Sequence, residues 1–207
     1  MNLLAIETSV ACASLCLYKE NRIAFSTRWE AERNHDAHLF PALSQALELL
    51  GENSILDYIL VGAGPGSYGG VRVALAAGVG IATVTGAKLV AIESWAQLAE
   101  KNACVIADAR RGGWTVRFPD SSIGVLAPEE ISRLDYPLYS TEKPGAAQAS
   151  GISNIHKEGL VPTAEGIVST WLALNGEEQQ KLLAKPAEPI YVRPPHITAS
   201  TRKPWEI

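Results

Sequence analysis

A basic surplus is missing from this sequence: 18 lysines and arginines stand against 22 aspartates and glutamates, for a formal net charge of -4. A broad electrostatic grip on nucleic acid is therefore not supplied by this chain alone, and any such contact is local or shared with a partner. Cysteine is scarce, with three in 207 residues. Cys12 and Cys16 lie four apart in a strand-like run, about 13 Å at strand rise and too far to bridge, so buried reduced thiols are expected. A long uninterrupted apolar run is also missing. Val73 to Ala87 carries Gly78, Gly80 and Gly86 and falls short of a membrane span, which predicts a buried helix. Leu3 to Cys12 lacks a preceding Lys or Arg and is broken by Glu7, so it does not read as an export signal and a cytoplasmic protein is expected. What is present is core material: 47% of residues are apolar, enough for one compact unit or two small lobes.

Asn2 to Thr8, Ala11 to Tyr18 and Ile23 to Trp29 are β-prone runs split by short polar breaks, and predict three consecutive antiparallel strands. From Asn34 to Leu50, apolar Leu39, Leu43, Ala46, Leu47 and Leu50 recur at helical spacing, with Asn34 placed to cap, Gly51 to terminate and Pro41 to bend the helix. Tyr58 to Ala63 reads as a buried strand, Gly64 to Gly70 as a glycine-rich turn, Val71 to Thr85 as a helix, Lys88 to Ile92 as a strand, and Ser94 to Lys101 as a helix. A meander extended by parallel strands through helical crossovers gives a mixed α/β sheet. That order resembles the ribonuclease-H-like lobe of the actin and sugar-kinase superfamily rather than a Rossmann fold. Cys104 to Asp108 and Trp114 to Phe118 predict two more strands and begin a second, eroded copy. A short helix from Pro128 to Arg133, a Pro- and Gly-rich passage from Pro137 to Gly151, a helix from Thr163 to Leu174 and an extended Pro-rich tail complete the chain. The expected division is residues 1–102 and 103–207.

Gly64-Pro65-Gly66-Ser67-Tyr68-Gly69 satisfies G-x-G-x-x-G between a strand and a helix, yet it follows the fourth strand, carries Pro at its second position, and has its acidic residue, Glu93, too far downstream for a dinucleotide site. It lacks the Gly-Lys-Ser/Thr ending of a P-loop, and Pro65 excludes a nucleophile elbow. Free N–H groups at the helix start either hold an anion or cap the turn. Glu7-Thr8-Ser9 ends the first strand, where the sugar-kinase and actin superfamily places an Asp for a nucleotide's metal. Glu7 either reaches a metal-bound water or accepts hydrogen bonds from turn N–H groups. The candidate cofactor-binding residues are thus Glu7, Thr8, Ser9, Gly66 and Ser67. His35 and His38 share a helix face but lack a carboxylate or Cys at matching spacing, so no metal site is assigned. Asp108, Arg110 and Arg111 form either a solvated turn or a functional surface.

Leu4-Ala-Ile-Glu-Thr-Ser9, Arg33-Asn-His-Asp-Ala-His-Leu-Phe-Pro41, Gly64-Pro-Gly-Ser-Tyr-Gly-Gly-Val-Arg-Val73, Val90-Ala-Ile-Glu-Ser-Trp-Ala-Gln-Leu-Ala99 and Asp108-Ala-Arg-Arg-Gly112 resemble, in order and spacing, the bacterial TsaB (YeaZ) family. The resemblance covers residues 1 to 113 and returns at Pro189 to Arg193. It implies an actin-like duplicated fold (the ribonuclease-H-like, ASKHA architecture) and a non-catalytic scaffold or activating subunit that pairs with TsaD for threonylcarbamoylation of adenosine 37 in tRNA. TsaE is the further partner implied, a homodimer is expected in isolation, and tRNA is met only through the complex. ATP or ADP at the shared interface is the cofactor reading, with none required by this chain. The catalytic homologue carries a His-x-x-x-His pair, and alignment on Leu89 to Ile92 puts Ser94 and Leu98 in its two places, neither of which replaces an imidazole ligand. Where the family has Phe-Thr-Gly after the turn's Ser, this chain has Tyr68-Gly69-Gly70, and the family's first-strand Asp is Glu7. The alternatives are a nucleotide-binding kinase-like ATPase and a homodimeric binding module of other purpose.

In the second helix, Ala74, Gly78 and Ala82 follow at four-residue spacing, as do Ala76 and Gly80. A stripe this small lets another helix approach closely, or packs on the chain's own sheet. The partner-interface candidates are His35, His38, Leu39 and Ala42 on the first helix and Val71, Ala74, Leu75 and Gly78 on the second.

Overall fold

The structure, a computed structural model, describes residues 1–30, 36–52, 54–98, 100 and 102–192. Strands β1 (Leu3–Glu7), β2 (Cys12–Lys19) and β3 (Arg22–Glu30) form the expected meander, with Leu3 opposite Tyr18 and Cys12 opposite Glu30. The chain then crosses through α1 (Asp36–Leu50) to β4 (Tyr58–Gly62), parallel to β1, and through α2 (Tyr68–Thr85) to β5 (Lys88–Ile92), parallel to β4. The sheet order is β3-β2-β1-β4-β5. Pro41 lies inside α1, and the Asn34 cap falls outside the described residues.

Helix α2 begins three residues before the predicted Val71. Ser67 supplies the reason, because its Oγ accepts the Gly70 N–H and its carbonyl accepts the Val71 N–H, which draws the two glycines into the first turn. Gly86 at φ 73 closes the other end. At 18 residues α2 is long and apolar enough to cross a membrane by length and composition alone, but its Gly70, Val71, Ala74, Leu75 and Gly78 are packed inside the protein. The helix expected from Ser94 to Lys101 is a 3₁₀ turn, Ser94–Gln97, closed by Leu98 N–H on the Trp95 carbonyl.

The second sheet repeats the first strand for strand. β6 (Cys104–Asp108), β7 (Trp114–Arg117) and β8 (Ile123–Leu126) are an antiparallel meander. The short helix α3 (Pro128–Ile131) leads to β9 (Leu138–Ser140), parallel to β6, and α4 (Ala146–Ala149) leads to β10 (Ile155–Lys157), parallel to β9. The order β10-β9-β6-β7-β8 mirrors the first sheet. Erosion lies in length and not topology: the crossover helices have 4 residues each, against 15 and 18 in the first copy.

Helices α5 (Ala164–Ala173) and α6 (Gly176–Leu183) return to the first sheet. A cut at residue 102 therefore separates the two sheets but not their covering helices. β1 shows why the first sheet needs cover on both faces. Its Leu4 and Ile6 join Leu39, Ala46, Val71 and Ala74 under α1 and α2, whereas Leu3 and Ala5 join Cys16, Leu60, Ile167 and Trp171 under α5. Thr163 caps α5 with its Oγ on the Gly166 N–H, and Asn175 and Glu178 form a capping box at α6. The three cysteines are free, Cys16 and Cys104 are buried, and burial pushes the Cys16 thiol up to about 12 and the Cys104 thiol to about 11.

Candidate functional site

The C-terminal ends of β1, β4 and β5 bring Glu7, Thr8, Ser9, Gly66, Ser67 and Ser94 together. What the glycine turn approaches is the chain itself. A Cβ on Gly66 would overlap the Ser9 carbonyl, and one on Gly70 would overlap the Thr8 carbonyl. A Cβ on Gly62 would overlap the Glu7 carboxyl. The missing side chains thus admit the end of β1, and polar bonds fix the contact. The Thr8 hydroxyl donates to the Gly70 carbonyl at 2.7 Å and Ser67 N–H donates to the Ser9 carbonyl at 2.6 Å. Gly64 N–H donates to Ser94 Oγ at 3.1 Å, and Ser94 N–H returns to the Gly64 carbonyl at 2.9 Å. The tail straps the same corner, with Ile190 N–H on the Ala63 carbonyl at 2.8 Å and the Tyr191 ring stacked 5.0 Å from Tyr68.

Glu7, Thr8 and Ser9 are fully enclosed, whereas Gly66 and Ser67 are exposed. Glu7 Oε1 accepts the Ser9 N–H at 2.7 Å, and Glu7 Oε2 and Ser9 Oγ have no well-oriented partner. Burial pushes the Glu7 carboxyl above its ordinary 4.5, and the neighbouring Ser9 and Ser94 groups only partly oppose it. Because the folded pKa is raised, the native state holds a proton that the unfolded chain releases from about 4.5 upward, and stability is lost as pH rises through the folded pKa. Glu7→Gln keeps the shape and removes the charge. It is expected to be more stable than the parent chain at neutral pH by roughly 1–2 kcal/mol, the usual cost of a buried polar atom left unpaired, with the gain vanishing as pH falls to 4.5. Denaturant titrations of both chains across pH check this; a gain that grew on acidification would refute the enclosed-acid reading.

The helix face is where the sequence reading needs correction. Leu39, Ala42, Val71, Ala74 and Leu75 are core residues, each less than 9% exposed, and a Cβ on Gly78 would press on Leu89 and Val61 at 2.8 Å. The Ala74–Gly78 stripe therefore packs on the chain's own sheet. His38 is exposed and stacks on Trp29 at 6.4 Å, and His35 lies outside the described residues. Away from the core, both helices carry exposed apolar or small residues: Phe40 (62% exposed), Leu47 and Leu49 on α1, and Ala76, Val79 (52%), Gly80 and Val84 (87%) on α2. The Ala76–Gly80 spacing carried this signal, but two equally small stripes on one helix do not say which meets the sheet.

Comparison with known proteins supplies a context for this geometry. Residues 29–116 match the family model described as TsaD, tRNA N6-adenosine threonylcarbamoyltransferase. Two tRNA threonylcarbamoyladenosine biosynthesis proteins TsaB align with the chain. The one from Buchnera aphidicola subsp. Baizongia pistaciae is 35% identical over 83 residues, and the one from Buchnera aphidicola subsp. Acyrthosiphon pisum 26% over 100 residues. These matches take in 38% and 48% of this chain and 36% and 45% of the relatives, so the chain aligns with less than half the length of either. YeaZ from Pseudomonas aeruginosa superposes with a TM-score of 0.69 at 26% identity, covering 92% of this chain and 99% of that one. A second Pseudomonas aeruginosa structure, described as similar to peptidase YEAZ, gives 0.70 at 24% identity over 93% and 99%. The chain is thus similar to TsaB (YeaZ) proteins in sequence over part of its length and in fold over nearly all of it.

The duplicated sheets are an actin-like, ribonuclease-H-like architecture, shared with the two Pseudomonas aeruginosa structures. Within that architecture Ser94 is fully buried with its hydroxyl holding the Gly64 N–H, and Leu98 is partly buried. Among the described residues, no three His, Cys, Asp or Glu side chains cluster as a metal site would require.

Proposed function

We propose that this chain is a non-catalytic scaffold or activating subunit for threonylcarbamoylation of adenosine 37 in tRNA, docking onto a TsaD partner through the outward sides of α1 and α2 and working in the cytoplasm with TsaE. The observation that carries this is the uncovered apolar face itself. Phe40, Val79 and Val84 are exposed on two helices whose other sides fill the core, and large apolar side chains left exposed on such helices favour an interaction site. The likeness to two Buchnera TsaB proteins supports the assignment of the pathway, and the match of residues 29–116 to the TsaD family model supports a homologous partner. The kinase-like ATPase alternative is disfavoured because Glu7, its intended metal-facing carboxylate, is enclosed with its charge discouraged by burial. A homodimer through the same face is compatible with this reading as the isolated state.

Reconstitution tests the role. Threonylcarbamoyladenosine formation on tRNA, with TsaD and TsaE from the same source, is expected to need this chain and to fall to background without it. Full activity in its absence, or turnover by this chain without TsaD, would contradict the proposal.

A further inference from the structure

The short segment from Glu93 to Gln97 touches three separate pieces of the molecule. Glu93, directly after β5, pairs through its carboxylate with the Arg117 guanidinium at the end of β7, in the other sheet. Both side chains are largely covered, at 17% and 12% exposure, so solvent screens the pair weakly. Arg117 is itself held in orientation, donating to the Phe118 carbonyl and to Ser121 Oγ at 2.9 Å. Ser94 exchanges hydrogen bonds with Gly64 in the glycine turn. Gln97 clamps the start of α5, its Oε1 accepting Thr163 N–H at 3.0 Å and its Nε2 donating to the Thr163 carbonyl at 3.2 Å. Gly166 makes room for that clamp, since a Cβ there would overlap Gln97 Oε1. Helix α5 is the element that returns from the second sheet to cover the first.

We propose that residues 93–97 are a keystone between the lobes, and that the Glu93–Arg117 pair fixes the angle between the two sheets by the chain's own side chains, without help from a nucleotide. In duplicated folds of this kind the lobes are two packed bodies joined by few contacts, and such joints move as hinges unless locked. Here one covered charge pair and one bidentate amide clamp emanate from the same turn. Breaking the pair by removing one charge leaves the other covered and uncompensated, which favours opening into water over staying closed. The lock stands on geometry alone and is independent of the partner assignment.

Pulsed electron spin resonance on the full chain tests it. Spin labels are placed at the exposed Gln45→Cys and Gln148→Cys positions, one on each lobe, with Cys12→Ser to remove the accessible native thiol. The parent chain is expected to give one narrow distance distribution that Mg-ATP leaves unchanged. Glu93→Gln is expected to broaden it about twofold as the lobes rock. Arg117→Lys, which keeps the charge but loses the bonds to Phe118 and Ser121, serves as the second variant should the first fail to fold, and is expected to broaden it as well. A distribution unchanged in the folded variants overturns the lock, and a parent distribution that narrows or shifts with Mg-ATP overturns the independence from nucleotide.

Discussion

Gly70→Ala is expected to lower the melting temperature by roughly 10 °C, while Gly69→Ala, one residue away, leaves it within about 2 °C. Both glycines lie in the first turn of α2, where helix propensity alone would favour alanine in either place. They differ in what a Cβ would meet. At Gly69 there is nothing within 4 Å, whereas at Gly70 the added atom would overlap the Thr8 backbone carbonyl. A backbone atom cannot swing aside as the tip of a long side chain can, so α2 must move off β1. Moving it weakens the Thr8 hydroxyl bond to Gly70 and disturbs Val71 and Ala74 in the core below. An overpacking cost of about 3 kcal/mol follows, and in a chain of this size each kcal/mol shifts the melting point by about 2–4 °C. Paired thermal melts decide the matter. Equal small effects would mean that the turn has slack and that its glycines serve something other than this contact.

The same reasoning shows which parts of the molecule were legible in the sequence. The meander, the glycine turn and the two parallel strands could be read from period-two runs and breakers, because those signals are local. The early start of α2 could not, since Gly69 and Gly70 argue against helix by propensity and are present because β1 comes close. The second copy was half visible: β8, β9 and β10 have only three or four residues each, too few for a period to register. Ile167, Val168 and Trp171 announce one buried face on α5, but nothing local tells which sheet it covers. Asn175 and Glu178 carry a capping signature for α6 that is local and therefore legible in the sequence. In the site, Glu7 and Ser9 were legible as the end of a strand, yet their enclosure involves Ser94 and the glycine turn, which arrive from distant sequence. The helix face was assigned to the wrong side because spacing gives a stripe but not its direction.

That correction reverses one expectation and sharpens another. Gly78→Arg is expected to prevent folding, because the residue is wedged against Leu89 and Val61. Its neighbour Val79 points the other way and is 52% exposed, so Val79→Arg should leave the melting temperature unchanged and act on association alone. A charge placed in a desolvated apolar contact typically costs about two or more kcal/mol at a central position, which corresponds to about 30-fold or more in affinity. Phe40→Arg, on the outward side of α1, is expected to act likewise. Circular dichroism and melts on the three variants separate core from surface before any partner is added.

The most direct test of the central claim is a titration of this chain with TsaD from the same source, followed by light scattering behind gel filtration. A stable mixed complex is expected with the parent chain at micromolar concentration, and separate elution with the folded Val79→Arg variant. Persistent separation of the parent chain from TsaD across concentrations, or a Val79→Arg complex as tight as the parent's, would contradict the account.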